Sequence, residues 1–142
     1  MDTLFAHEKL DVYQLELAFI RWVTPVLEEV EKKARARTRE VRGQLDRASV
    51  SMLLNTAEGN GKRQRQVRAK FFDDARGSAT ECAACLDALV AKGACSGERI
   101  REGKEMLARI SQMLTKLVQL YSDDPTVRED EQDYGVKPTE PS

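Results

Sequence analysis

Apolar residues recur along four long stretches at the alternating three- and four-residue spacing that is typical of amphipathic helices. This pattern predicts helices over residues 8–35, 38–58, 64–92 and 97–121. Residues 26 to 124 contain no proline, so helices of this length are permitted. Four such helices joined by short loops favour an all-α fold, an up-down-up-down antiparallel four-helix bundle over residues 1–121.

The first predicted helix carries two apolar faces. One contains Leu10, Tyr13, Leu17, Ile20 and Leu27, and we assign it to the core of the bundle. The other is displaced by two residues, which places it roughly 200° around the helix. A bundle helix needs one face toward its own core, so the second face should be covered by another copy of the chain. The predicted oligomer interface comprises Val12, Leu15, Phe19, Trp22 and Val26.

The chain ends in an acidic segment. Residues 122–142 contain seven acidic and two basic residues, a net charge of −5, and few apolar residues. A segment of this composition buries too little to fold, so we expect a flexible C-terminal tail.

Neither a membrane span nor a secretory signal is visible. No stretch approaches eighteen consecutive apolar residues, and the N-terminus has no basic region followed by an apolar one. Three cysteines, an odd number, suit a reducing compartment. We therefore expect a cytoplasmic protein that makes no contact with a membrane.

Basic residues are concentrated around the two loops that flank the second predicted helix. Two groups of candidates for nucleic-acid binding result: Arg35, Arg37, Arg39 and Arg42 with the adjacent Lys32 and Lys33, and Lys62, Arg63, Arg65, Arg68 and Lys70. One interpretation is a solvated charged surface. The other is phosphate contact, with backbone N–H groups of residues 59–61 close to the bound strand. No aromatic residue interleaves with these positions, so any binding to RNA or DNA should be indifferent to sequence.

Several polar residues lie on or beside the core faces of the second and third predicted helices. One interpretation is a ligand or metal site between the helices. The alternative is a buried polar network that fixes the register of the helices, because an unpaired buried carboxylate is costly. The residues concerned are Arg47, Asn55, Glu58, Arg76 and Glu81.

The sequence gives little support for catalysis or metal binding. Cys82 and Cys85 form a lone Cys-x-x-Cys on a buried helical face, where core packing is the simpler interpretation than zinc or redox chemistry. His7 is the only histidine, which argues against a dimetal carboxylate site. We therefore expect no enzyme activity and no cofactor.

Four segments resemble the bacterial four-helix-bundle proteins of the 23S rRNA intervening-sequence family. They are residues 5–13 (FAHEKLDVY), 44–51 (QLDRASVS), 55–62 (NTAEGNGK) and 75–82 (ARGSATEC). The resemblance implies a homopentamer. A related branch resembles the accessory protein of diversity-generating retroelements, which binds a reverse transcriptase and nucleic acid through a basic surface. Thr56 stands where the family usually has an aliphatic residue, a difference we expect to have no effect.

Two functions follow as expectations. The first is an oligomeric interaction protein that binds nucleic acid, or a nucleic-acid enzyme such as a reverse transcriptase, through its basic surface. The alternative is a structural homo-oligomeric scaffold with another protein as its partner and no nucleic-acid binding, in which the acidic segment competes for the basic surface or tunes solubility.

Overall fold

The computed structural model describes residues 3–122, and the segment for which we predicted a flexible tail lies outside them from residue 123 onward. A short 3₁₀ turn, Ala6–Lys9, precedes four helices: α1 (Asp11–Lys33), α2 (Arg39–Gly61), α3 (Arg65–Ala91) and α4 (Gly97–Tyr121). The predicted all-helical four-helix bundle is confirmed, and residues 3–122 contain no strand. None of these helices has the length and apolar character needed to cross a membrane.

Each helix packs against two neighbours, so that the order around the bundle is α1, α2, α3, α4. The α2–α3 pair has the most extensive contact. Small buried side chains favour this close approach: Ala48 and Ser49 are buried on α2, and Ala75, Ser78 and Ala79 are buried on α3. A Cβ atom added to Gly59 would lie 2.9 Å from the Cβ of Phe71, so α3 can approach the end of α2 only because residue 59 has no side chain.

Two helix ends differ from the prediction. The second predicted helix ends at residue 58, whereas α2 continues to Gly61 and Lys62 takes an extended conformation after it. Glycine ends a helix when it adopts positive φ, and among the described glycines only Gly93, after α3, does so. The first predicted helix begins at residue 8, whereas α1 begins at Asp11 because residues 6–9 form the 3₁₀ turn.

The core face of α1 is the one that we had assigned to an oligomer interface. Val12, Phe19 and Val26 are at most 3% exposed within one protomer, and Leu15 and Trp22 pack half-buried against the same core. Val23 and Val30 continue this face with the same helical spacing. The predicted interface of Val12, Leu15, Phe19, Trp22 and Val26 is therefore wrong. The face predicted to form the core, Leu10, Tyr13, Leu17, Ile20 and Leu27, is half-buried at the flank of the helix.

Trp22 joins α1 to α4. A Cβ atom built on Gly103 would lie 2.1 Å from the nearest ring carbon of Trp22, so the indole occupies the space that a side chain at residue 103 would need. The guanidinium of Arg99 lies 5.8 Å from the centre of the same ring and donates two hydrogen bonds of 2.9 Å to the Glu29 carboxylate. The ring contact and the ion pair thus both connect α1 to α4.

We predict that Gly103→Ala lowers the free energy of unfolding by about 1–3 kcal/mol, because the new methyl group overlaps the Trp22 ring. Urea unfolding followed by circular dichroism measures the change. Gly77→Ala is the matched control, since nothing lies within 4 Å of a Cβ at this exposed α3 position. It should instead stabilise the protein by about 0.5–1 kcal/mol through helix propensity. Equal effects of the two substitutions would contradict the proposed role of Gly103.

Candidate nucleic-acid interface

The short connection between α2 and α3 carries a concentration of positive charge. Between residues 59 and 72 the chain has five basic residues and no acidic one. We call these residues the α2–α3 cluster: Lys62, Arg63, Arg65, Arg68 and Lys70. Helix α3 begins at Arg65, and its first turn contains no acidic residue. The backbone N–H groups at the start of a helix carry partial positive charge, so the helix end adds to the charge of the side chains.

Arg68 holds the cluster together. Its guanidinium donates to the Asn60 carbonyl oxygen at 3.0 Å, to the Lys62 carbonyl oxygen at 3.1 Å and to the Tyr121 hydroxyl at 3.2 Å. It also lies 4.4 Å from the centre of the Tyr121 ring. The predicted phosphate contact by Arg68 is therefore wrong, because its hydrogen-bonding groups connect the end of α2 to the end of α4.

The other cations of the cluster are more accessible. Arg63 is exposed and forms no ion pair or hydrogen bond within residues 3–122. Arg65 is exposed, donates to the Leu120 carbonyl oxygen and lies 5.2 Å from the centre of the Tyr121 ring. Lys62 pairs with Glu58 at 3.4 Å, and Lys70 pairs with Asp74 at 3.1 Å. Surface ion pairs of this kind are weak, so a phosphate can replace the carboxylate partner.

Two expectations about this region are not met. Residues 59–61 belong to the last turn of α2, so they do not form an open loop of backbone N–H donors. Aromatic rings do lie beside the cations. Phe71, next in sequence to Lys70, has its ring centre 5.2 Å from the Lys62 ammonium, and Tyr121, from the end of α4, lies below Arg65 and Arg68. Because the cations of the protein cover these faces, they form no open platform for base stacking.

The second basic group surrounds the loop between α1 and α2, at the other end of α2. We call it the α1–α2 cluster: Arg35, Arg37, Arg39 and Arg42. Arg42 donates to the Arg35 carbonyl oxygen at 2.8 Å and to the Thr38 hydroxyl at 3.0 Å, which closes the loop. Arg37 donates to the Lys92 carbonyl oxygen at 3.1 Å.

Acidic residues accompany the α1–α2 cluster. Glu31 lies 3.9 Å from Arg35 and 3.8 Å from Arg42, and Glu40 follows Arg39 in sequence. These carboxylates reduce the local positive charge. The α2–α3 cluster also has carboxylate partners, Glu58 and Asp74, but they lie outside residues 59–72, and Arg63 is exposed without one within residues 3–122, so this cluster is the stronger candidate for phosphate contact.

The predicted buried polar network does not form. Arg47 and Glu58 are exposed, and Asn55, Arg76 and Glu81 are half-buried. Arg47 donates to Gln44, which donates to Glu81 across the α2–α3 surface, and Asn55 donates to the Ser51 carbonyl oxygen one turn earlier. Arg76 donates instead to Thr115 of α4. Arg47 and Glu81 are thus linked through Gln44, whereas Asn55, Glu58 and Arg76 make other contacts. Residues 3–122 contain no group of three or more possible metal ligands.

The buried polar pair of the bundle is Glu16 of α1 with Thr56 of α2. Glu16 is fully buried, its Oε2 accepts a 2.7 Å hydrogen bond from the Thr56 hydroxyl, and its Oε1 is buried without a partner. Burial raises the pKa of the Glu16 carboxyl from 4.5 to about 8, and the hydrogen bond from Thr56 only partly opposes this change. Thr56, for which we expected no effect, is the residue whose hydroxyl pairs with Glu16.

The cysteine pair lies in the core. Cys82 and Cys85 are both buried in α3, and all three cysteines carry free thiols. Burial, followed by the neighbouring Cys85 and Glu81, raises the pKa of the Cys82 thiol to about 12. Burial also raises the pKa of Cys85. Because the thiolate is the nucleophilic and metal-binding form, this environment favours packing over reactivity.

A protein-family model matches most of the chain. The family model described as 23S rRNA-intervening sequence protein matches residues 8–116. This range contains all of α1, α2 and α3 and most of α4, and it includes both basic clusters and the Glu16–Thr56 pair. A search of curated proteins gave no match.

We predict that Glu16→Gln stabilises the protein at neutral and mildly alkaline pH. The pKa is higher in the folded state than in the unfolded chain, so the stability contribution of Glu16 is complete below pH 4.5 and declines until about pH 8. Glutamine keeps the hydrogen bond but does not ionise. The variant should therefore exceed the wild type by up to about 3 kcal/mol at pH 7, with a smaller difference at pH 5.

Urea unfolding at several pH values between 5 and 8.5 measures this difference. Glu58→Gln serves as the control, because the Glu58 side chain is 55% exposed and the same substitution should change stability little at any pH. Parallel pH profiles for wild type and Glu16→Gln would contradict the burial of an ionisable carboxyl at residue 16.

Proposed function

The chain belongs to the 23S rRNA-intervening sequence protein family, and on that premise we propose that it is a non-catalytic, self-assembling protein that binds nucleic acid through the α2–α3 cluster. The observation that carries the proposal is the run of five cations without an acidic residue, located at the N-terminal end of α3. The family description refers to 23S rRNA, which makes RNA the first ligand to test.

The cluster favours phosphate contact over base recognition. The accessible groups are the ammonium of Lys62 and the guanidinium groups of Arg63 and Arg65, all of which suit phosphate oxygens. Phosphate contacts position a protein on nucleic acid but carry no sequence information. The binding we propose is therefore indifferent to sequence and decreases steeply with ionic strength.

The second candidate partner is a nucleic-acid enzyme such as a reverse transcriptase, because a related branch of the family resembles an accessory protein that binds one. The basic surface would then contact either the enzyme or the strand that the enzyme holds. Free nucleic acid is the simpler ligand for this surface, because the cluster presents cations and no exposed apolar side chain.

Assembly would use a face other than the α1 face that contains Phe19 and Trp22. Two apolar residues one turn apart on α2, Val50 and Leu54, are 41% and 59% exposed. They line a shallow depression of about 490 Å³ together with Asp46, Arg47, Ser51 and Asn55. An exposed apolar pair on the outer side of α2 is a suitable contact for another protomer. We propose that this face of α2 takes part in the homopentamer that the family resemblance implies.

We predict that Arg63→Glu combined with Arg65→Glu weakens RNA binding at least tenfold in 50 mM salt, since two favourable phosphate contacts become repulsive. Fluorescence anisotropy with a labelled RNA measures the affinity. Arg101→Glu with Arg109→Glu is the control, because it makes the same charge change on the exposed face of α4. Circular dichroism establishes that both variants fold.

Two results would contradict the proposal. Equal weakening by the control pair would indicate a general charge effect with no role for the cluster. Absence of binding by the wild-type protein at low salt would favour the alternative function, a structural homo-oligomeric scaffold with a protein partner.

We predict that Val50→Asp combined with Leu54→Asp converts the assembled protein to monomers, because burying two carboxylates in an interface is unfavourable. Native mass spectrometry gives the stoichiometry. Leu4→Asp is the control, since Leu4 is 87% exposed and belongs to no helix. A monomeric wild type, or unchanged assembly of the double variant, would contradict the interface.

A further inference from the structure

The C-terminal end of α4 lies within the α2–α3 cluster. Arg68 donates to the Tyr121 hydroxyl at 3.2 Å, and Arg65 donates to the Leu120 carbonyl oxygen. Ser122 is buried, and its backbone N–H donates to the Val118 carbonyl oxygen at 2.9 Å. The chain therefore leaves the bundle beside the cations that we propose to bind nucleic acid.

The sequence that follows has the opposite charge. Asp123 and Asp124 come directly after Ser122, and Glu129, Asp130, Glu131 and Asp133 follow. Against these six carboxylates, residues 123–133 contain a single cation, Arg128. Covalent connection keeps the first of them near the cluster, because three residues of chain span at most about 11 Å. This distance is close to the Debye length at physiological salt, which is about 8 Å. The first carboxylates of the segment therefore interact electrostatically with the cations of the cluster.

We propose that the acidic segment 123–133 competes with nucleic acid for the α2–α3 cluster and thereby sets its affinity. The inference rests on the function proposed above. A tethered ligand acts at an effective concentration in the millimolar range, without any loss of translational freedom on binding. Phosphates in solution must therefore displace carboxylates that are already present at high local concentration.

The consequence is selection for ligands with many phosphates. A mononucleotide or a short oligonucleotide offers too little charge to displace the segment, whereas a long strand offers many phosphates at close spacing. The segment thus acts as an internal competitor that suppresses weak binding and permits binding to extended nucleic acid.

The test uses two full-length variants that differ only in the charge of the segment. In the neutral variant the six carboxylates become amides: Asp123→Asn, Asp124→Asn, Glu129→Gln, Asp130→Asn, Glu131→Gln and Asp133→Asn. In the charge-preserving variant the same positions exchange aspartate for glutamate and glutamate for aspartate. Affinity for a labelled 20-base-pair RNA duplex is measured by fluorescence anisotropy in 50 and 200 mM salt.

We expect the neutral variant to bind at least tenfold more tightly than wild type in 50 mM salt, with a smaller gain in 200 mM salt. The charge-preserving variant should match wild type. Adding Arg63→Glu and Arg65→Glu to the neutral variant should remove the gain, whereas adding Arg101→Glu and Arg109→Glu should leave most of it. This last comparison separates competition at the cluster from a general change in net charge.

The outcomes distinguish this inference from the proposed function. Equal affinities of wild type and both segment variants would overturn the inference and leave binding by the cluster intact. A gain that survives Arg63→Glu and Arg65→Glu would also overturn it, because the segment would then act elsewhere. If the neutral variant bound no RNA even in 50 mM salt, both the proposed function and the inference would fail.

Discussion

The close contact between α2 and α3 determines where the α2–α3 cluster of this protein lies. Alanine and serine side chains line the contact, and the absence of a side chain at Gly59 lets Phe71 reach the end of α2. The connection between the two helices can therefore be only three residues long, from Lys62 to Gln64. This connection carries Lys62 and Arg63, and Arg65, Arg68 and Lys70 follow within the first two turns of α3, so five positive charges lie at one end of the bundle.

The sequence predicts the number of helices and their approximate extent, because apolar periodicity is a local property. It does not predict which face of α1 enters the core. Residue 16 is a glutamate. In the local sequence a charged residue therefore interrupts the apolar face of α1 that contains Phe19. The hydroxyl that makes burial of Glu16 possible comes from Thr56, forty residues later. Long-range pairing of this kind leaves no periodic signal.

The candidate nucleic-acid interface also combines features that the sequence predicts with features that depend on the fold. Sequence locates the basic clusters, since charge density is visible in the order of residues, but it does not separate structural cations from accessible ones. Arg42 and Arg68 have the same side chain as Arg63, yet the first two donate to the carbonyl oxygens of Arg35 and Lys62 in the neighbouring loops. Whether an arginine meets a carbonyl oxygen or solvent depends on the path of the folded backbone.

The placement of the two basic clusters at opposite ends of α2 has a geometric consequence. Helix α2 has 23 residues, which corresponds to a length of about 35 Å at 1.5 Å per residue. A B-form DNA duplex, which rises by roughly 3.4 Å per base pair, covers this distance in about ten base pairs. A straight DNA duplex of less than one helical turn is therefore shorter than the helix that separates the two clusters.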